Sequence, residues 1–122
     1  MSSIPDSGER REFDSGSVRD VRTGKGRYDL LPAHGIRRVA LRFEHGAEKY
    51  GDSNWAKGQP LSVYADSMLR HGFQAAAGAE DEDHWAAVAW NALAAIDHLE
   101  RIRLGTLSAE LNDLGVQSEF AG

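Results

Sequence analysis

Residues 84–104, HWAAVAWNALAAIDHLERIRL, carry apolar side chains at the three- and four-residue steps of an α-helix. The apolar positions are Trp85, Val88, Ala92, Ile96, Leu99 and Ile102. The acidic run at 80–83 comes directly before this stretch, and negative charge is favoured at a helix N-terminus. The pattern therefore predicts one long helix that follows an acidic turn and ends near Leu104.

Two shorter helices are predicted upstream. The first covers 36–50 and ends at Gly51, and its apolar face consists of Ile36, Val39, Phe43, Ala47 and Tyr50. The second covers 62–77, with Ser62 as its N-cap and Gly78 as its stop. Its predicted inward face consists of Ala65, Met68 or Leu69, Phe73 and Ala76.

Turn-forming residues separate these helices. The stretch GDSNWAKGQP (51–60) is too rich in glycine, proline and small polar residues to continue a helix. One more short helix is predicted from the spacing of Leu107, Leu111 and Leu114. No segment shows the alternation of apolar and polar residues that a half-buried strand requires. The predicted fold class is therefore all-α.

The length of the chain restricts its organisation. At 122 residues it has room for one domain, which we place at 27–114, between a flexible N-terminal arm over 1–26 and a C-terminal tail over 115–122. No stretch has the roughly 20 apolar residues that span a bilayer, and the first residues do not form a signal peptide. We therefore expect a soluble cytoplasmic protein with no membrane partner.

Composition restricts the chemistry. The chain contains no cysteine, so any metal must be held by carboxylate, imidazole or amide groups. Hard oxygen ligands favour Mg²⁺ or Mn²⁺. The net charge of −5 argues against nucleic-acid binding, because phosphate contacts require a basic face. A small anionic ligand is compatible with this charge, since a local basic cluster can coexist with it.

The predicted helices make a thin core. The helix at 84–104 is rich in alanine, which allows close helix approach but buries little apolar area per residue. Association of subunits would add buried area. We therefore expect a helical bundle that is completed by assembly of a homo-oligomer, either a dimer or a tetramer.

Two groups of carboxylates are candidate metal ligands. On the first helix, Glu44 and Glu48 lie four residues apart and can hold one divalent cation, although both can equally belong to a solvated charged face. The run at 80–83 can supply further oxygens or can simply complement the helix dipole. By chemistry and position, the predicted ligands are Glu44, Glu48, Glu80 and Asp83.

Other polar side chains are candidates for nucleotide binding. Phosphate oxygens could be bound by Lys49, Lys57, Arg70 and His71, although each alone could be a surface charge. Asn91 lies on an alanine-rich helix, where a buried amide needs a partner in a ligand, the core or another subunit. In the loop, Trp55 beside Asn54 could stack on a base or pack in the core.

Four segments, read in order, are GRYDLLP (26–32), FEHGAEKYGDSNWAKG (43–58), MLRHGFQAAAGAED (68–81) and HWAAVAWNALAAIDHLE (84–100). Together they resemble the phage and bacterial dATP/dGTP diphosphohydrolase family, a branch of the all-α MazG-like pyrophosphohydrolases. The order is specific: a GAxKYGxxNWxKG loop, an RH pair, an acidic turn and a helix with AWN. The resemblance covers residues 26–104.

The resemblance implies a metal-dependent enzyme. Two or three Mg²⁺ or Mn²⁺ ions would bind a purine deoxynucleoside triphosphate and activate a water, giving dGMP or dAMP and pyrophosphate. Glu44 and Glu48 are then the catalytic carboxylates, and base or sugar would be contacted by Asn54, Trp55 and Asn91. In phages whose DNA contains 2-aminoadenine, relatives known as MazZ supply precursor in this way, and the same role is implied here.

Two alternative functions stay open. The first is a non-catalytic helical assembly or binding protein, whose acidic turns only cap helices and which needs no metal. The second is another metallophosphohydrolase, such as an HD-type enzyme that releases phosphate or triphosphate. The order of residues counts against the HD type, because Asp83–His84 and Asp97–His98 are reversed pairs.

Overall fold

The computed structural model describes residues 8–117, and helices make up most of it. The helices are α1 (Ala33–Tyr50), α2 (Leu61–Ala76) and α3 (His84–Arg103). The all-α fold class is therefore confirmed. Two parts of the predicted arm and tail, 1–7 and 118–122, lie outside the described residues.

The remaining elements are short. Two strands precede the helices, β1 (Arg10–Glu12) and β2 (Val18–Asp20). Single 3-10 turns occur at Tyr28–Leu30, Asn54–Lys57 and Ala109–Leu111. The last of these lies within the predicted fourth helix, which is thus only one turn long.

The described chain divides into two compact units between Leu31 and Pro32, and the first unit contains a β-hairpin. Its strands β1 and β2 pair antiparallel, with Arg11 opposite Arg19. The sequence pattern does not predict this hairpin. Nearly all side chains of this hairpin are exposed, so neither face requires apolar residues and the alternation expected of a half-buried strand does not arise.

In the second unit, α3 packs against both α1 and α2. Helix α1 begins at Ala33, directly after Pro32, because proline has no N–H to offer a preceding turn and its fixed φ suits a helix start. Its predicted end at Gly51 is confirmed. Gly51 has a φ of 92° and its N–H donates to the Ala47 carbonyl at 2.8 Å.

The start of α2 differs from the prediction. Pro60 is the N-cap residue, so the N-cap role predicted for Ser62 is wrong. Ser62 lies in the first turn, where its N–H donates to Asp113 Oδ1 at 2.9 Å and its hydroxyl donates to Asp113 Oδ2. A carboxylate from the C-terminal part of the chain thus satisfies a first-turn N–H that no local side chain reaches.

The buried faces of α2 and α3 also differ from the prediction. Leu69 and Phe73 on α2 are 59% and 77% exposed, so the predicted inward face of this helix is wrong at these residues. Ala65 and Met68, which are also predicted to face inward, are half-buried. The residues that α2 buries are Leu61, Tyr64 and His71. The residues that α3 buries are His84, Ala86, Ala87, Asn91, Ala94 and His98. Polar side chains therefore occupy much of the interior, and several large apolar residues of both helices, among them Phe73, Trp85 and Ile96, face outward.

The apolar core is small. Its buried members are Leu61, Tyr64 and Ala94, and the partly buried residues packed against them are Trp55, Trp90, Ala95 and Leu99. Helix α3 supplies alanines where the helices approach closely, as its composition predicts. Among the described residues, no helix is both long and apolar enough to cross a membrane.

Candidate active site

A pocket of about 860 Å³ opens beside this core. Its wall comes from the C-terminal half of α1, the loop at 51–59, and parts of α2 and α3. A cavity of this size accommodates a small organic ligand. The pocket therefore marks the candidate active site.

Two hydrogen bonds hold the loop against α3. The Gln59 N–H donates to His98 Nε2 at 3.1 Å, and the Arg101 guanidinium donates to the Ala56 carbonyl at 2.9 Å. Both contacts use backbone groups of the loop, so they position the chain itself. As a result, Asn54 and its neighbours have a fixed place at the pocket.

Gly58 is essential to the path of this loop. Its φ is +110°, and a Cβ at this position would lie 2.7 Å from Leu111 Cδ1 and 3.3 Å from Leu107 Cδ1. Glycine tolerates both the backbone conformation and the close approach. The leucines after α3 therefore pack directly on the loop backbone and support the wall of the pocket.

Aromatic rings form one side of the pocket. Phe43 lies edge-on to Trp55 with ring centroids 5.7 Å apart, and it lies 5.5 Å from the Trp90 ring. All three rings line the pocket. Trp55 also stacks on His98 at 6.1 Å. The ring of Trp55 thus packs against the core, as one of the two expectations for it states, and it also borders the pocket. Stacking on a base stays a prediction.

Charged groups of both signs lie on the same wall. The carboxylates are Glu44 and Asp52, and the basic side chains are Arg42, His45, Lys49 and His71. Such a wall can hold phosphate oxygens through its basic side chains and metal ions through its carboxylates. The mixture suits a metal-bound polyphosphate.

The structure brings about half of the sequence-predicted site residues to the pocket. Those on the wall are Glu44, Lys49, Asn54, Trp55, His71 and Asn91. Those off the wall are Glu48, Lys57, Arg70, Glu80 and Asp83. Glu44 and Glu48, one helical turn apart, are therefore separated by the pocket edge.

Asp83 has a structural role in addition to any other. Its Oδ1 accepts a hydrogen bond from the Ala86 N–H at 3.1 Å and so caps α3. Arg38 on α1 binds the same carboxylate through both oxygens, at 2.6 and 2.7 Å. The Arg38 guanidinium holds the pKa of Asp83 below its ordinary value.

Asn91 is buried in α3 and lines the pocket. Its amide nitrogen donates to the Ala87 carbonyl one turn earlier, at 2.8 Å. Within residues 8–117, no group donates a hydrogen bond to its amide oxygen. Asn91 therefore has an acceptor to offer to a ligand in the pocket.

A second polar cluster adjoins the pocket where α2 and α3 are joined. His71 and His84 are 5% and 4% exposed, and their Nδ1 atoms lie 2.9 Å apart. Glu82 contributes a carboxylate oxygen, and one ligand atom from each of the three residues lies within 4.8 Å of the other two. We call these three residues the His–Glu–His cluster.

Charged neighbours surround the His–Glu–His cluster. Asp81 Oδ1 lies 2.7 Å from His84 Nε2, and this hydrogen bond lowers the pKa of Asp81. Arg42 Nη1 lies 2.9 Å from Glu82 Oε1. Burial lowers the pKa of His71, so this imidazole is neutral at physiological pH. A neutral imidazole can use its lone pair to bind a metal or accept a proton.

Sequence reasoning did not assemble this cluster. His71 is predicted as a phosphate ligand, and neither Glu82 nor His84 is among the predicted ligands. One signal could have found it: His84, Asn91 and His98 recur every seven residues on an alanine-rich helix, which is the pattern of a buried polar face. The tight connection over 77–83 then returns the chain so that His84 lies opposite His71.

Comparison with known protein families identifies the chain. Residues 15–106 match the family model described as dATP/dGTP diphosphohydrolase, N-terminal. The chain belongs to the dATP/dGTP diphosphohydrolase family. No curated protein and no solved structure gives a significant match.

Family membership confirms the resemblance seen in the sequence. It also makes hydrolysis the general activity of the chain, since the family is named for a hydrolase. The matched range contains the whole pocket wall and the His–Glu–His cluster. The pocket of this dATP/dGTP diphosphohydrolase family member is therefore formed by its family domain.

Proposed function

We propose that the protein hydrolyses dGTP or dATP to the deoxynucleoside monophosphate and pyrophosphate, with the help of a divalent metal ion. The family match carries this proposal, because residues 15–106 include every side chain of the pocket wall. The pocket volume of about 860 Å³ is consistent with a nucleotide ligand.

The aromatic side of the pocket would receive the base. The Trp55 ring offers a flat face for stacking, and Phe43 packs edge-on against it. Asn91 would accept a hydrogen bond from an amino or ring N–H group of the purine, and Asn54 would contact the base or sugar. This arrangement supports binding of a nucleobase, because the amide oxygen of Asn91 can accept a hydrogen bond from an N–H group of the base.

The basic side chains of the pocket wall would hold the triphosphate. Arg42, Lys49 and His71 lie on the wall and can donate to phosphate oxygens. Lys57 and Arg70 lie off the wall, so they would act at longer range or only after movement of their long side chains. These groups would orient the triphosphate so that the anhydride bond to be cleaved lies close to the catalytic carboxylate.

The proposed cofactor is Mg²⁺ or Mn²⁺, in two or three ions. When bound, these ions neutralise phosphate charge and lower the pKa of a coordinated water. The wall fits hard cations because Glu44 and Asp52 both supply carboxylate oxygens. Asp83 is a weaker metal ligand than its position in the sequence suggests, because Arg38 binds both of its oxygens.

Glu44 is the proposed catalytic base. Its carboxylate is exposed on the pocket wall, where it can take the proton of the attacking water. The water oxygen bonds to phosphorus, the anhydride linkage between the α- and β-phosphates breaks, and pyrophosphate leaves. Glu48, the other predicted catalytic residue, lies one turn further along α1 and off the wall.

The central test is a product assay. The protein is incubated with each of the four dNTPs and with dGDP, in the presence of Mn²⁺, Mg²⁺ or EDTA, and products are separated by chromatography with pyrophosphate detection. We expect metal-dependent formation of dGMP or dAMP with pyrophosphate. Release of triphosphate or phosphate would support the HD-type alternative. Absence of turnover with every nucleotide would support the binding-protein alternative.

A matched pair of variants tests the catalytic carboxylate. Glu44→Gln and Glu48→Gln both preserve side-chain shape and remove one charge from the same helix. We expect Glu44→Gln to lower kcat by about 100-fold or more, in the range typical of a general base. Glu48→Gln serves as the control. A larger loss in Glu48→Gln would transfer the catalytic role to that residue.

We also propose that the protein acts as a cytoplasmic homo-oligomer. The outward face of α2 and α3 supports assembly, because Phe73, Trp85 and Ile96 are 77%, 69% and 61% exposed. The role in supplying a phage with 2-aminoadenine nucleotide precursor follows from the resemblance to MazZ. Sedimentation equilibrium of the wild type and Phe73→Glu tests assembly, and a monomeric wild type would contradict it.

A further inference from the structure

We propose that the His–Glu–His cluster is a binding site for one first-row transition-metal dication, with chemistry distinct from the carboxylates on the pocket wall. His71 belongs both to this cluster and to the wall, so a cation held here would border the nucleotide. A catalytic use of that cation rests on the proposed function. Binding of the cation does not.

The geometry of the ligand atoms is the first argument. His71 Nδ1 lies 2.9 Å from His84 Nδ1 and 3.8 Å from Glu82 Oε1. Ligand atoms about 2 Å from a shared tetrahedral ion lie about 3.3 Å from each other, which falls between these two distances. One ligand atom from each residue lies within 4.8 Å of the other two, so side-chain movements that shorten the longer separations would place all three around one ion.

The burial of the two imidazoles is the second argument. Both rings are more than nine-tenths buried, and each turns its Nδ1 toward the other. Two lone pairs cannot face each other at this distance without a shared proton or cation between them. Without metal, the Nδ1–H of one ring must donate a hydrogen bond to the Nδ1 of the other. A dication would satisfy both nitrogens at once.

Asp81 supplies the third argument by fixing the tautomer of His84. The His84 Nε2–H donates to Asp81 Oδ1 at 2.7 Å, which leaves the lone pair of a neutral ring on Nδ1. The nitrogen that faces His71 is then a potential metal ligand. A carboxylate behind a histidine is the usual orienting partner of metal-binding imidazoles.

Glu82 completes the ligand set at the exposed side of the cluster. Arg42 Nη1 forms an ion pair with Glu82 Oε1 at 2.9 Å, and the same oxygen lies 3.8 Å from His71 Nδ1. A carboxylate has lone pairs for both an arginine and a metal. Arg42 also reduces the affinity for a cation, because it adds positive charge next to the site. Only a metal with a high intrinsic affinity for imidazole and carboxylate ligands would therefore occupy the site.

The ligand types select the class of metal. Two imidazoles and one carboxylate suit divalent zinc, cobalt, iron or manganese, whereas Mg²⁺ prefers oxygen ligands and retains its water. Three protein ligands leave at least one coordination position open, as catalytic rather than structural sites do. A phosphate oxygen from the adjoining pocket could occupy that position.

The test uses Co²⁺ as the probe, because its visible absorption reports ligation directly. The full chain, freed of metal by a chelator, is titrated with CoCl₂ with and without excess MgCl₂, and binding is followed by absorption and calorimetry. We expect one Co²⁺ per chain, not displaced by Mg²⁺. His84→Gln and Glu82→Gln should each weaken binding by at least about 10-fold, and Glu80→Gln, the neighbouring acid outside the cluster, should not.

A further variant guards against loss of fold. Asp81→Asn keeps all three ligands and changes only an exposed carboxylate, and it should weaken Co²⁺ binding by about 10- to 100-fold while circular dichroism stays unchanged. Unchanged Co²⁺ affinity in the folded His84→Gln, Glu82→Gln and Asp81→Asn proteins would overturn the site and leave only a hydrogen-bonded histidine pair.

Turnover is measured on the same samples. Co²⁺ bound at the histidines without hydrolysis of any dNTP would contradict the proposed function and support the site. Metal-dependent hydrolysis with no effect of these three substitutions on Co²⁺ binding would contradict the site and support the proposed function. The two proposals can therefore fail separately.

Discussion

Helix α3 buries a histidine near each end, and the two rings have different partners. His84, at the N-terminal end, faces the imidazole of His71 and the carboxylate of Asp81. His98, toward the C-terminal end, faces the Tyr64 hydroxyl at 3.2 Å and the Gln59 N–H at 3.1 Å. The first ring pairs with groups that titrate or bind cations, whereas both groups that face Nε2 of the second ring are neutral.

The difference shows that burial alone does not reveal what a histidine does. At His98, the Nε2 lone pair accepts a hydrogen bond from the backbone N–H of Gln59, so the ring connects the loop to α3. At His84, the exposed carboxylate of Asp81 accepts a hydrogen bond from Nε2–H, so the Nδ1 lone pair is available to a metal ion. We therefore assign a mainly structural role to His98 and a mainly chemical role to His84.

The largest expected effect is on stability at the His98 end. His98 is 0% exposed, and His98→Ala would create a cavity and leave the Gln59 N–H without its acceptor. We expect the free energy of unfolding to fall by about 2–4 kcal/mol. Urea denaturation followed by circular dichroism measures it. If His84→Ala destabilised the metal-free protein equally, the contrast between the two histidines would disappear.

The next effect is on turnover at the His84 end. If its ring binds a cation beside the nucleotide, His84→Gln should lower kcat/KM for dGTP by about 10- to 100-fold, the loss typical of a disturbed metal site. His98→Gln is the matched comparison, since glutamine can still accept from the Gln59 N–H. We expect a smaller loss there. Equal losses in steady-state assays would mean that both histidines act by positioning the loop.

The third effect is a dependence of stability on pH. Burial, followed by the positive charge of Arg101, lowers the pKa of His98, while Asp97 acts in the opposite direction. The unfolded chain therefore takes up a proton near the ordinary value of 6.5, whereas the folded chain takes it up only at lower pH. Stability is complete above this value and decreases as the pH falls below it.

Facing His98 from α2, Tyr64 stays neutral in this range, because burial raises its pKa to about 12. His71 has a lowered pKa too, so the contribution of His98 must be isolated by comparison. Urea unfolding from about pH 8 to about pH 5 is measured for wild type and His98→Gln. We expect a shallower dependence in the variant, by at most about 1.4 kcal/mol per pH unit. Parallel curves would contradict the expectation.

The same two ends of α3 show how far the sequence predicts the molecule. Helix existence, order and the stop at Gly51 follow from local rules and are confirmed. The pocket residues predicted from the loop, Asn54 and Trp55, also lie on the wall. These features depend on residues that are close in the chain, which is why local patterns are sufficient.

The orientation of the helices could not be predicted in the same way. Apolar periodicity selects the face with Trp85 and Ile96, whereas the structure buries the face with His84, Asn91 and His98. A polar face is buried only when partners from elsewhere satisfy it, and those partners, such as Gln59 for His98, lie far away in sequence. The His–Glu–His cluster was missed for the same reason.

The smallest expected effect comes from the Tyr64 hydroxyl, and it separates the two donors to His98. Tyr64→Phe keeps the buried ring and removes only the contact at 3.2 Å, while the Gln59 N–H at 3.1 Å stays in place. Because His98 Nε2 keeps one donor, we expect a loss of about 1 kcal/mol in urea denaturation and little change in Co²⁺ binding. A loss as large as that of His98→Ala would show that the hydroxyl, and not the loop backbone, is the main partner of the ring. In that case the loop would be held to α3 chiefly by Arg101, and the structural role of His98 would reduce to packing between α2 and α3.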